Sequence, residues 1–331
     1  MDLSVVNNKK ILLIMPLFFG YEKEIRETLE ANGAEVHLVF ENMNEISFWY
    51  RLVYVYFSSK KEAIMNKYYE KAICDIDADI DVVLVIRGDS VTEQTMQLLK
   101  NRFKKAFFSM YQWDSVANNE NAKNIAKHFD KVQTFDMIDA EQYGWKYRPL
   151  FYIKRLCVNP MDKKIDFSYV CSVHSKRVAI YKRLKLFADK NNLKMFTYIY
   201  VAKLRYILHK YIKKDEVFIE LDKSIVAHKP LDIEKTNEIY DSARVIVDYT
   251  HPLQNGLTMR TIESVGHRCK LVTNNKHIEN TSLYNSNIYI YDEDNFNIPE
   301  DFLCKEYEEL SPQQMEYYSL EGWLKELISE E

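Results

Sequence analysis

Arg260 and Glu263 lie three residues apart in the run Asn255-Gly256-Leu257-Thr258-Met259-Arg260-Thr261-Ile262-Glu263. On a helix that spacing sets a cation and a carboxylate side by side. A guanidinium there suits an anion such as a diphosphate, and a carboxylate one turn further on could accept from the two hydroxyls of a ribose. The polar stretch Thr250 to Asn255 precedes the run, and a helix N-terminus after such a loop is a natural anion site. The competing reading is an ordinary i,i+3 ion pair on a solvated helix, worth little to stability.

Two strands must hold this run in place. Arg244 to Asp248 and Lys270 to Thr273 are short β-branched stretches of the kind buried in parallel sheets. Between them the pattern predicts a helix over Leu257 to His267, with Asn255-Gly256 as its cap. At 100° per residue Arg260, Glu263, Ser264 and His267 share one face, while Thr258, Met259, Ile262 and Val265 share the other. The second face is expected to pack and the first to present charge.

The same alternation runs through the first half of the chain. Lys10 to Pro16 reads as a buried strand, Glu22 to Asn32 as a helix, and Glu35 to Phe40 as a second strand. Leu17 to Tyr21, with Gly20 and Tyr21, falls at the carboxyl end of strand one, where open α/β sheets place ligands. Asp81 to Ile86 and Lys105 to Met110 are further strands. They run into Arg87-Gly88-Asp89-Ser90 and Tyr111-Gln112-Trp113-Asp114-Ser115. Asp114 and Asp89 are the carboxylates best placed to deprotonate a hydroxyl, with Trp113 beside them. Strand-end caps are the other reading of both. Lys131 to Phe135 is a short strand, and the Asp136-x-x-Asp139 spacing that follows it is that of a metal motif on paper.

In the second half Phe167 to Ser172 is a strand, followed by the loop Val173-His174-Ser175-Lys176-Arg177 and a helix from Val178 to Asn191. Met195 to Val201 is a strand, and Asp232 to Ser242 a helix. Two stretches mix basic and apolar residues in helical spacing. One is 44–73; the other is 202–214, with Leu204, Ile207, Leu208 and Ile212 on its apolar side. Either could rest on a membrane surface, and for 44–73 the competing reading is a helix packed against its own domain with snorkelling lysines. The final helix is expected from Ser311-Pro312 onward, with Tyr317, Leu320, Trp323, Leu324 and Leu327 as its apolar side.

With 331 residues and 47% hydrophobic content, the chain can bury two cores. A net charge of −4 gives no global basic field for nucleic acid. Five widely spaced cysteines without a CxxC or Cys/His cluster read as reduced thiols of a cytoplasmic protein. The first apolar run is too short to span a membrane and shows no cleavage site. No GxGxxG or GxxxxGK[ST] run occurs, which argues against a dinucleotide enzyme or P-loop ATPase. Alternating strands and helices in two similar halves imply an α/β protein of two Rossmann-like domains facing a cleft.

The run GLTMRTIESVGHRCKLVTNN resembles the donor-site segment of GT-B fold glycosyltransferases, especially the bacterial surface-polysaccharide group related to the spore-maturation-protein (group 1) glycosyltransferases. FDMIDAEQYGWKYRPLFY and YSLEGWL are similar to other parts of that group, and the first likeness implies that Asp136 and Asp139 are structural and that Pro149 to Pro160 is the interdomain linker. The resemblance implies metal-independent transfer of a sugar from a nucleotide-sugar donor to a glycan or glycolipid acceptor, in the cytoplasm or at the inner face of the membrane; a nucleotide-sugar epimerase of the same fold and a non-enzymatic two-domain sugar-binding protein are the rival readings. It implies an N-terminal acceptor-side domain over 1–155, a nucleotide-sugar domain over 156–310, and a last helix over 311–331 that returns to the first. Glu263 would then bind ribose; Asn255, Gly256, Leu257, Thr258 and Arg260 would line the donor site. His174, Lys176 and Arg177 would neutralise the diphosphate, and the loop carrying His228 would approach the nucleobase. Many GT-B enzymes carry two glutamates eight positions apart. Asn255 stands at the first of those positions, so the sugar contact and the stereochemical outcome stay open.

Overall fold

The computed structural model describes residues 3–18, 20–41, 61–153, 163–173, 176–251 and 254–330. Among these the chain divides into two compact units: Met1–Phe151 with Glu316–Glu331, and Tyr152–Met315.

The first unit is built on β1 (Lys10–Met15), β2 (Glu35–Phe40), β3 (Val82–Ile86), β4 (Phe107–Gln112), β5 (Lys131–Thr134) and β6 (Lys146–Tyr147). They form a parallel sheet in the order β2-β1-β3-β4-β5-β6. β1 and β3 are apolar almost without interruption because helices cover both faces of such a sheet. Order reverses between β1 and β3, so the loops after these two strands share the open carboxyl edge. Gly20, at φ +90°, makes the left-handed step into the Tyr21–Ala31 helix.

Residues 316–331 close this unit. The single final helix expected from Ser311 is broken into Pro312–Tyr317 and Leu320–Ile328. Ser319 interrupts it by capping the second piece, its hydroxyl accepting from Gly322 N at 3.0 Å. Leu320, Trp323, Leu324 and Leu327 are buried as expected, whereas Tyr317 is exposed. The Trp323 ring lies 4.7 Å from Tyr111 and 4.6 Å from Phe151, centroid to centroid. Asp136 and Asp139 do structural work: Asp136 caps the Met137–Tyr143 helix, and Asp139 accepts from Val116 N at 2.8 Å.

The second unit is built on β7 (Ile165–Ser172), β8 (Met195–Tyr200), β9 (Val226–Ala227), β10 (Ala243–Val247), β11 (Lys270–Thr273) and β12 (Ile288–Ile290), again all parallel. Their order is β12-β11-β10-β7-β8-β9, with the reversal between β7 and β10. Phe167, Tyr169, Val245, Val247 and Val272 project from the strands into one core with Val178, Ile180 and Leu184 of the Arg177–Lys190 helix.

The stretch 202–214 is helical in two pieces. Lys203–Ile207 is α-helical and Leu208–Ile212 is a wider π turn. Leu204, Ile207, Leu208 and Ile212 face solvent, and Tyr206 supplies the contact with the core. Of 44–73, residues Lys61–Ile73 form a helix and the rest lies outside the described residues. Among the described residues no helix is long and apolar enough to cross a membrane.

Candidate functional site

The reversal between β7 and β10 in the second unit is where the charged side chains gather. β10 ends at Val247, and the next residue, Asp248, is fully buried. Its Oδ1 accepts from Arg260 Nε at 2.6 Å, and its Oδ2 from Thr258 Oγ1 at 2.7 Å and Thr250 Oγ1 at 3.3 Å. Arg260 also donates from Nη1 to the Val170 carbonyl of β7 at 3.4 Å, tying the helix to the adjacent strand.

A second guanidinium flanks the same carboxylate. Arg177 is buried, donating from Nε and Nη2 to the Tyr249 carbonyl and from Nη1 to Ser172 Oγ at 3.2 Å. Burial alone raises the Asp248 pKa, but the charges of Arg260 and then Arg177, with donation from Thr258, hold it below the usual carboxylate range. Arg260 is pushed up because Asp248 outweighs its own desolvation. Arg177 moves the other way: burial and then the neighbouring Arg260 lower it. Two guanidiniums around one carboxylate leave a net positive charge at the carboxyl edge of the sheet.

The loop between β10 and its helix is pinned by the end of β11. Asn274 accepts from Thr250 N at 2.8 Å and donates to the Thr250 carbonyl at 3.2 Å. Asn275 donates to the Gly256 carbonyl at 3.2 Å. Glu293, beyond β12, accepts from Asn274 at 2.9 Å and pairs with Lys176 Nζ at 2.9 Å.

The helix itself runs over Met259–Gly266, and its cap is Thr258, whose Oγ1 accepts from Thr261 N, not Asn255-Gly256. One threonine hydroxyl thus caps the helix and donates to the buried carboxylate, a pairing that Asn255, three residues upstream, does not make. The face expected to present charge is largely covered. Ser264 and His267 are buried, with His267 Nδ1 2.7 Å from Asp241 Oδ1; Arg260 and Glu263 are half-buried. Arg260 pairs with Asp248 because the strand end brings a carboxylate under it.

Leu257 and Gly256 are buried and Asn255 half-buried in the pinned loop. Lys176 is exposed and held by Glu293. His228 is exposed, with Nδ1 2.9 Å from the Val201 carbonyl. His174 lies outside the described residues.

In the first unit the carboxyl edge collects Gly20, Tyr21, Asp89, Trp113 and Asp114. Phe18 packs on Trp113 at 5.2 Å and on Tyr21 at 6.3 Å. Asp114 Oδ1 accepts from Ser115 N and Asn118 Nδ2, both at 3.0 Å, which orients the carboxyl. Asp89 is exposed beside Arg87, 3.5 Å away. Arg87 and Gly88 both have positive φ, +77° and +70°, and the turn they make is anchored from below by Glu41. Glu41 Oε1 accepts from Ser90 N at 2.9 Å and its carbonyl accepts from Ser90 Oγ at 2.8 Å. Burial pushes this carboxyl up to about 7 against the pull of Arg87.

Asp248 and Glu41 are the residues that sequence reasoning missed. Each stands one position past a β-branched or apolar strand, and that carboxylate at a strand's carboxyl end is the signal that marks them. Among the described residues no group of three His, Cys, Asp or Glu side chains is placed to hold a metal ion.

No family model matches the chain, and no curated protein sequence matches it. Solved structures do. MnaA of S. aureus, in a structure with UDP, superposes with a TM-score of 0.52 at 13% identity, over 96% of this chain and 94% of its own. A "putative UDP-N-acetylglucosamine 2-epimerase" of Listeria monocytogenes superposes with a TM-score of 0.50 at 7% identity, over 86% and 84%. At such identities the likeness is one of fold: two Rossmann-like domains of GT-B type.

Proposed function

We propose that the chain is a glycosyltransferase that moves a sugar from a nucleotide-sugar donor to a hydroxyl of a growing cell-surface glycan, without a metal. The observation that carries the reading is the pair Arg177 and Arg260 around buried Asp248 at the β7/β10 reversal. Such a cationic surplus suits a nucleoside diphosphate, and the GLTMRTIE segment that supplies Arg260 is the part of the sequence most similar to a transferase donor site.

In this reading the acceptor oxygen attacks the anomeric carbon, the bond from that carbon to the diphosphate oxygen breaks, and the acceptor proton passes to Asp114. The nucleoside diphosphate leaves with the electron pair, and Arg177, Arg260 and Lys176 offset its charge. Fixed guanidiniums serve this role well, because they need not reorganise as charge develops. Glu263 accepts from the ribose hydroxyls.

Nucleotide-sugar epimerisation is the second reading. Its support is that one superposed structure is of a "putative UDP-N-acetylglucosamine 2-epimerase" and the other contains UDP. The two readings separate by incubation with a nucleotide sugar alone: an epimerase turns it over without an acceptor.

The test of the shared premise is a thermal-shift screen of UDP, GDP, TDP and CMP. A donor nucleotide at a hundredfold excess over its dissociation constant should add about 2.7 kcal/mol of stability. If none of the four raises the transition, both readings fail.

A further inference from the structure

The segment Lys203–Ile207 with Leu208–Ile212 is amphipathic, but inside out. Its buried residue is Tyr206, packed 5.2 Å from the His228 ring and 6.4 Å from Phe218. His209 stacks on the same Phe218 at 4.7 Å. Tyr206 and His209 thus mark the side that faces the core, and the opposite side carries the aliphatic residues. Leu204 is 84% exposed, Ile212 70% and Tyr211 57%, with Ile207 and Leu208 also exposed between them. At helical spacing these five fall within one face.

Folding does not explain this arrangement. A helix of a globular domain turns its apolar stripe inward; here the aromatic-polar side docks and the stripe points outward. Contiguous exposed aliphatics of this kind mark an interaction surface. Val217 and Ile219 of the next short helix, Glu216–Ile219, are exposed as well.

Charge identifies the occupant. Lys203, Arg205, Lys210, Lys213 and Lys214 share this segment with the apolar stripe, and no acidic residue interrupts 203–214, although the whole chain carries a net charge of −4. At 100° per residue through the α-helical part, Lys203 falls along one border of the stripe and Arg205 along the other. A second copy would bring a matching set of cations against these. An anionic bilayer instead offers phosphate to the borders and hydrocarbon to the stripe.

We infer that this surface docks the protein on the face of an anionic membrane, with Leu204, Leu208 and Ile212 entering the interface and the flanking lysines on lipid headgroups. The docking is independent of whether the nucleotide site transfers or epimerises a sugar.

Co-sedimentation of the full chain with vesicles tests this. Vesicles of phosphatidylcholine with a quarter phosphatidylglycerol should carry the protein down. Pure phosphatidylcholine vesicles should not, and raised salt should weaken the binding. The double variant Leu204→Ser with Ile212→Ser should bind about tenfold or more weakly, from the lost apolar insertion. Its melting temperature should be unchanged, since both residues are exposed. Equal binding by the variant, or no binding of the wild type to anionic vesicles, overturns the inference. So does sedimentation equilibrium showing a wild-type dimer that the double variant dissolves, which would assign the stripe to a second copy. Nucleotide-induced thermal shifts report separately on the site, so failure of one reading leaves the other measurable.

Discussion

Arg260 Nε lies 2.6 Å from Asp248 Oδ1, and the carboxylate it meets is wholly buried. The pair fastens the first turn of a helix to the end of a strand, and it keeps a guanidinium at the sheet edge in one orientation. Removing one member of a buried pair strands the other charge. Asp248→Asn should cost about 3–5 kcal/mol, measured by urea unfolding. An unchanged midpoint would mean that the cluster does not hold the helix.

The same pair sets a pH dependence. The folded-state pKa of Asp248 is depressed relative to the unfolded chain, so its contribution is complete above the ordinary carboxylate range, about pH 4. It is lost as the pH falls through the lower folded value. Acid unfolding of Asp248→Asn should therefore begin from a lower stability but show a shallower dependence on pH below 4 than the wild type, followed by circular dichroism.

Glu41 works in the opposite sense. Its folded pKa is raised to about 7, so its contribution is present below the unfolded value and fades as the pH rises through 7. This group alone should remove about 3 kcal/mol of stability between pH 4.5 and pH 8. Glu41→Gln keeps an acceptor for Ser90 N and should flatten that slope, which paired urea titrations at the two pH values would detect. A slope identical to the wild type would place the buried proton elsewhere.

Thr258 carries two duties on one hydroxyl. Thr258→Ser retains both and should cost under about 1 kcal/mol, whereas Thr258→Ala loses the cap and the bond to Asp248, for about 2 kcal/mol. Equal losses in the two variants would point to the methyl group instead of the hydroxyl.

Glu263→Ala examines the ribose assignment. A charged hydrogen bond to a hydroxyl is worth about 1.5–3 kcal/mol, so the variant should bind its nucleotide at least about tenfold more weakly by calorimetry. Unchanged affinity removes Glu263 from the site while leaving the arginine cluster to be judged on its own.

Much of this was readable from residue types, and the exceptions have physical causes. β1, β3 and β10 announce themselves because a strand covered on both faces must be apolar throughout. The helix after β10 is legible too, but its cap is not. Asn255-Gly256 is the stronger local signal, and Thr258 prevails because β10 brings the Asp248 carboxylate within reach of its hydroxyl. Tertiary placement likewise turned Ser264 and His267 inward, where Asp241 receives the imidazole. At 202–214 periodicity correctly found an amphipathic segment but could not say which side faces the core. The anchoring residues Tyr206 and His209 have their partners, Phe218 and His228, in later segments.

The first unit draws its Trp323 cover from residues 316–331, which the ribosome delivers only after all of Tyr152–Met315 has been made. During synthesis, Tyr111 and Phe151 must wait with one flank uncovered while the second unit already has its whole chain. Birth order and completion order are therefore reversed, and the nascent chain depends on whatever shields that aromatic flank for the duration of 164 further residues.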